Sequence, residues 1–153
     1  MTEQRGSITI LVADDDPDDR MLMRDALEEN RLANPLQFVK DGEELMDYLH
    51  RRGQYIDPNR SPLPGLILLD LNMPRKDGRE VLKEIHADPD LRRIPVVVLT
   101  TSAAEEDIER SYELGANSYI TKPVTFSALV EMTRALGRYW IDIVALPVTS
   151  HAS

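Results

Sequence analysis

Cysteine is absent, which excludes disulfides, thiolate metal sites and cysteine nucleophiles. No apolar run approaches the ~20 residues that span a bilayer. The opening MTEQRGSITI has no basic stretch followed by an apolar signal core. Cytoplasm is therefore the expected location, and a membrane is not an expected partner. Positive charge is also scarce. Against 27 Asp and Glu stand 18 Lys and Arg, a formal charge of −9, where nonspecific nucleic-acid binding needs a basic footprint. What is present is ordinary: 42% apolar and 29% charged residues in a chain of 153 fit one water-soluble domain with a real core.

The acids are unevenly spread. Asp14, Asp15, Asp16, Asp18 and Asp19 crowd together directly after the apolar run Ile8–Ala13. In most chains such a cluster is a solvated, helix-starting patch. The alternation of Asp14, Asp16 and Asp18, with Asp25 at the twelfth position, also imitates a calcium-binding EF-hand loop. That loop needs glycine sixth and normally glutamate twelfth. Here Asp19 is sixth, Pro17 stiffens the fourth position, and a strand stands where a helix is required. The EF-hand reading fails.

Hydrophobic periodicity organises the rest. Ile8–Ala13, Leu36–Val39, Leu66–Leu69, Pro95–Leu99 and Ser118–Thr121 are short apolar or β-branched runs suited to strands buried on both faces. Between them lie helical stripes. They are Leu22, Ala26 and Leu27 after Pro17; Leu45, Tyr48 and Leu49 after Asp41-Gly42; and Val81, Leu82 and Ile85 after Asp77-Gly78. A fourth helix runs from about Ala104 to a stop at Gly115, and a fifth carries Phe126, Leu129, Val130, Thr133 and Leu136. Residues 54–64, with Pro58, Pro62 and Pro64, read as an extended loop. Five βα units predict an α/β fold: a doubly wound, flavodoxin-like parallel sheet of five strands in the order 2-1-3-4-5. The expected division is an N-terminal extension 1–7, one domain over 8–138 and a partly apolar tail over 139–153.

Ligands of such sheets gather at the carboxyl ends of the strands. Strand one ends in Asp14 and Asp15, strand three in Asp70, strand four in Thr100 and strand five in Lys122. Each has a plain reading alone: a turn aspartate, a β-branched strand end, a surface lysine, and at Asn72 an ordinary turn residue. Their shared place is what argues for a site. Three close carboxylates cannot all stay ionised without a cation. Hard oxygen ligands with open positions suit Mg²⁺ (or Mn²⁺) completed by water and a phosphate oxygen. Lysine and threonine can hold further phosphoryl oxygens. This chemistry serves phosphoryl transfer to a carboxylate.

These residues resemble the bacterial response-regulator receiver family. LVADDD, LLDLNMPRKDG around Asp70, PVVVLTTS and GANSYITKP around Lys122 match in order and spacing from Ile8 to Leu136. The resemblance implies that Asp70 is the phosphoacceptor for a phosphohistidine on a sensor histidine kinase. It implies that Asp15 binds the metal directly, Asp14 through a water, and Asn72 through its backbone carbonyl. Asp14 and Asp15 are preferred over Asp16 because they directly follow the apolar run. Lys122 would pair with the phosphoryl group, Thr100 would swing towards it, Tyr119 would move inward, and Pro123 would follow a cis peptide bond. Such a protein is a phosphoacceptor rather than a turnover enzyme.

The loop 54–64, LTTS and the closing GRYWIDIVALP are similar to small response regulators paired with bacterial and cyanobacterial phytochrome kinases. Trp140, Ile141, Ile143 and Val144 exceed one helical stripe and fit either an extended last helix folded onto its own domain or pairing with a second copy; the resemblance makes a homodimer the expected partner state. Two rival readings remain. One is a Mg²⁺-dependent phosphatase of the haloacid dehalogenase type with its nucleophile in the acids of strand one. The other is a receiver-like binding module that has lost phosphorylation.

Overall fold

The computed structural model describes residues 8–30, 34–101 and 104–138. The tail, with Trp140, Ile141, Ile143 and Val144, lies outside them. Strands β1 (Ile10–Ala13), β2 (Leu36–Val39), β3 (Leu66–Leu69), β4 (Val96–Thr100) and β5 (Ser118–Thr121) alternate with helices. The helices are α1 (Pro17–Glu29), α2 (Gly42–His50), α3 (Gly78–Ala87), α4 (Glu105–Glu113) and α5 (Phe126–Leu136). All strand pairs are parallel, and the order is β2-β1-β3-β4-β5, as expected.

Side chains alternate across a strand, and that alternation splits the core in two. Leu11, Ala13, Ile67, Leu69, Val96 and Val98 face one way, against Leu45 and Leu49 of α2 and Val81, Leu82 and Ile85 of α3. Ile10, Val12, Leu66, Leu68, Val97 and Leu99 face the other, against Met23 and Leu27 of α1 and Leu136 of α5. The inner strands are buried throughout, and the outer strands β2 and β5 are half-exposed, as edge strands are.

Helix starts follow from local chemistry. Asp16 caps α1 by accepting from the Asp18 N–H, with Pro17 in the first turn. Asp41 caps α2 by accepting from the Glu44 N–H, and Asp77 forms a capping box with Glu80 at α3. Gly115, at φ 113°, follows the end of α4 in a conformation that favours glycine.

Some expectations need correction. The first strand starts at Ile10 rather than Ile8, because the backbone pairing to β2 and β3 begins there. Leu22 is 42% exposed, and the buried face of α1 is Met23, Ala26 and Leu27. The helix is rotated so that Leu22 borders the β5–α5 connection instead of the sheet. Residues 54–64 are not wholly extended: a 3-10 turn spans Gly53–Tyr55. The Tyr48 hydroxyl donates to the Pro62 carbonyl at 2.7 Å, and the rings of Tyr48 and Tyr55 lie 5.0 Å apart, so α2 anchors the loop. Among the described residues, no helix is long and apolar enough to cross a membrane.

The end of α1 is tied to α5 by one amide. Asn30 Nδ2 donates to the carbonyls of Ala26 and Val130 and to Thr133 Oγ1 at 2.7 Å. Asn30→Ala is expected to lower unfolding free energy by about 1–2 kcal/mol. The check is a lower urea midpoint at unchanged slope. An unchanged midpoint would show that solvent replaces the amide.

Candidate metal and phosphoryl site

The register of the sheet builds the site. Ala13 pairs with Leu69, so the residues that follow them, Asp14 and Asp70, leave the sheet side by side. The Asp70 N–H donates to the Ala13 carbonyl at 3.0 Å, and the Asp14 N–H to the Val39 carbonyl at 3.0 Å. On the other side Thr100 pairs with Thr121, and the Lys122 N–H donates to the Thr100 carbonyl at 2.7 Å. Residues far apart in the chain therefore meet at one rim.

The side chains converge there. Lys122 Nζ lies 2.8 Å from Asp14 Oδ2, 2.9 Å from Asp19 Oδ2 and 3.0 Å from Asp70 Oδ2. Asp14, Asp15 and Asp70 each place a carboxylate oxygen within 4.8 Å of the others. Asp16 does not belong to this group, because its carboxylate caps α1. Asp14 Oδ1 accepts the Asp16 N–H, and Arg20 Nη1 donates to the Asp14 carbonyl at 2.7 Å. Asp70 Oδ1 accepts the Asn72 N–H at 3.1 Å, and Asn72 Nδ2 reaches Thr100 Oγ1 at 3.4 Å. Thr100 is fully buried. Tyr119 is half-buried and packs against the core cluster that holds α2 and α3.

Two corrections concern individual residues. The peptide bond before Pro123 is trans, since the described residues contain no cis bond. The trans form carries the ordinary preference of about 0.5–1 kcal/mol for an X–Pro bond. With that backbone, Lys122 already reaches three carboxylates. Asp19, one of the acids clustered at the start of the first helix, also touches the lysine. Its signal was available: it sits in the first turn of α1, directly after a strand end that carries the site.

The electrostatics favour a further cation. Burial pushes the Asp14 carboxyl up, and its hydrogen bonds with Lys122 and the Asp16 N–H offset this only in part. Burial alone would push the Lys122 ammonium down. Hydrogen bonds to Asp14, Asp19 and Asp70 outweigh it and hold the ammonium above the ordinary lysine value. Both shifts are upward, so both contributions to stability are present at low pH and fade as pH rises through the raised values. For Lys122 that fading lies above about pH 10.4. For Asp14 it begins above the ordinary carboxylate value. One ammonium under-compensates these carboxylates, and an oxygen-preferring divalent cation fits the donor set.

The loop after Asp70 is confined from two sides. A Cβ on Gly78 would meet the Asp70 carbonyl oxygen and Leu71 Cα at 2.7 Å, and the Gly78 N–H donates to the Leu71 carbonyl at 2.9 Å. A Cβ on Gly42 would lie 1.9 Å from the Lys76 carbonyl oxygen. Arg75, at φ 68°, pairs with Glu43 at 2.9 Å and with the buried Asp41 at 3.4 Å.

Residues 10–134 match the family described as the response regulator receiver domain. Response regulator Rcp1 of Synechocystis sp. is 45% identical over 138 residues, covering 90% of this chain and 92% of Rcp1. The crystal structure of Mn²⁺-bound Rcp1 is 44% identical with a TM-score of 0.83, covering 92% of this chain and 99% of that one. The structure of the phosphorylated cyanobacterial phytochrome response regulator RcpA is 43% identical with a TM-score of 0.86, covering 93% and 99%.

Lys122→Met removes the ammonium and leaves Asp14 and Asp70, whose side chains are 8% and 9% exposed, facing each other. The metal-free variant is expected to lose about 3 kcal/mol of stability. Mn²⁺ should raise its melting temperature more than it raises that of the wild type. Equal melting temperatures without metal would show that solvent already screens the carboxylates.

Proposed function

Because the chain belongs to the response regulator receiver domain family, we propose that it accepts a phosphoryl group on Asp70 from a sensor histidine kinase. The observation that carries this reading is the meeting of Asp14, Asp15, Asp70 and Lys122 at one rim of the sheet. An Asp70 carboxylate oxygen attacks the phosphorus of a phosphohistidine. The new O–P bond forms as the P–N bond breaks, and the imidazole leaves with the electron pair and takes up a proton. Asp14, Asp15, Asp70 and the Asn72 carbonyl would hold a divalent ion, Mg²⁺ in the cell. When bound, that ion neutralises charge on the transferring group and fixes its oxygens.

Lys122 balances charge on the phosphoryl oxygens, and Thr100 donates a hydroxyl to them after turning outward from its buried position. Phosphorylation adds about −1.5 to −2 charges at one point. The conformer in which Thr100 and Lys122 close on those charges gains population, with Tyr119 moving inward. A shift from 1:99 to 99:1 needs about 5.5 kcal/mol of differential interaction. Hydrolysis of the acyl phosphate resets the protein. It is thus a cytoplasmic signalling phosphoacceptor and not an enzyme acting on an external substrate. The receiver would occupy residues 8–138 between an extension at 1–7 and the tail at 139–153.

The kinase is of the phytochrome type on this reading, supported by the likeness to Rcp1 and to the phytochrome response regulator RcpA. A haloacid dehalogenase-type phosphatase is disfavoured. The Asp16 it would need beside Asp14 is spent on capping α1, and the receiver family spans 10–134. A binding-only module is disfavoured because the acids and Lys122 are all present in one site.

Incubation with acetyl phosphate and Mg²⁺ is expected to add the mass of one phosphoryl group to the wild type and none to Asp70→Asn. Equal uptake by the variant would overturn the reading. A second copy of the chain is the further partner proposed, through the apolar run at Trp140, Ile141, Ile143 and Val144. Trp140→Ser with Ile143→Ser should move a sedimenting dimer to monomer. A wild type that stays monomeric at high concentration would rule this out.

A further inference from the structure

Among the site residues, Asp19 has no part in the reading above. We propose that Asp19 is a placeholder for the incoming phosphoryl group: it occupies the Lys122 hydrogen-bonding position that a phosphoryl oxygen takes over. This inference rests on the phosphoacceptor reading.

The case begins with counting donors. A lysine ammonium has three N–H groups and no more. Lys122 Nζ meets three carboxylate oxygens at 2.8, 2.9 and 3.0 Å, from Asp14, Asp19 and Asp70. The lysine is saturated. A phosphoryl oxygen can therefore reach it only by displacing one of the three.

The three acids are not equally replaceable. The Asp14 and Asp70 side chains are 8% and 9% exposed, whereas the Asp19 side chain is 38% exposed. Releasing a buried carboxylate from its ammonium leaves a charge away from water that only a bound cation could then pair. Releasing a half-exposed carboxylate returns it to water, where an ion pair is worth little. Asp70 remains in place as the group that carries the phosphoryl, one of its oxygens now taken up in the O–P bond. Asp19 is the ligand that leaves. It also stands in the first turn of α1, where the helix dipole attracts negative charge.

Asp19 thus has two effects. Before phosphorylation it fixes the ammonium in the site and spares it a search among rotamers. Afterwards it competes with the phosphoryl oxygens for the same donor and, as a like charge close by, opposes them. It is a positioning residue that trades a held lysine for weaker retention of the phosphoryl group. The neighbouring Asp18 is also an acid, and its N–H donates to Asp16 Oδ1, so it separates a specific contact from bulk charge.

The test uses the full chain with saturating Mg²⁺. Affinity for beryllofluoride, a phosphoryl mimic, is read by fluorine NMR titration, and the lifetime of the acyl phosphate by intact mass after removal of acetyl phosphate. Asp19→Asn is expected to bind beryllofluoride about 2–5-fold more tightly and to hold its phosphoryl group longer by a similar factor. Asp18→Asn should match the wild type in both. A purely structural role for Asp19 would change the melting temperature and leave both readouts alone. Unchanged or weaker beryllofluoride binding in Asp19→Asn overturns the proposal, as does an equal gain in Asp18→Asn. A wild type that takes up no phosphoryl group at all would instead sink the phosphoacceptor reading on which the proposal rests.

Discussion

The site depends on one ammonium held among carboxylates. Lys122 is 15% exposed as a side chain and touches Asp14, Asp19 and Asp70. Without it, Asp14 and Asp70 would face each other across a buried gap, and like charges at that distance resist ionisation. The sheet supplies the convergence. Parallel pairing of β1 with β3 brings Asp14 beside Asp70, and pairing of β4 with β5 brings Thr100 beside the lysine's strand. The same arrangement remains short of positive charge. Its carboxylates fit a divalent cation beside the ammonium.

Attachment is uneven around this rim. The inner strands are buried on both faces, and α1 is tied to α5 by Asn30. Helix α4 is different. Its buried residue is Ser111, whose hydroxyl has no hydrogen-bond partner among the described residues, and its cap position is Ala104, which offers no side-chain acceptor. An ion pair from Arg79 at the start of α3 to Asp107 at 3.0 Å holds its first turn. Helix α4 follows β4 and Thr100 in chain order. Local stability of this kind is where conformational signals arise.

Much of this was legible in the chain. The strand ends Ala13, Leu69 and Thr121 could be read from apolar runs, and parallel order followed from alternating periodicities. Once those were in place, Asp14, Asp15, Asp70 and Lys122 had to share an edge. Caps at Asp41 and Asp77 were visible as Asp-Gly turns. What stayed hidden depended on rotation and close approach. Whether Leu22 or Met23 faces the sheet turns on a small rotation of α1 that the spacing does not settle. Phe126 fits a helical stripe, yet it is 41% exposed at the first position of α5. The trans Lys122–Pro123 bond leaves no periodic trace. Asp19 was lost in a run of acids whose members differ only in where the helix begins.

The contact between Gly42 and Lys76 has a wider consequence. Real Cβ atoms essentially never come closer than 3.0 Å to a neighbour, and one at position 42 would stand 1.9 Å from a carbonyl oxygen. The corner between the second strand and its helix is thus a wall against which the segment downstream of Asp70 is cast. Natural variation or deliberate redesign that thickens this wall, even by a single methyl group, would displace that segment from behind without altering any carboxylate at the rim.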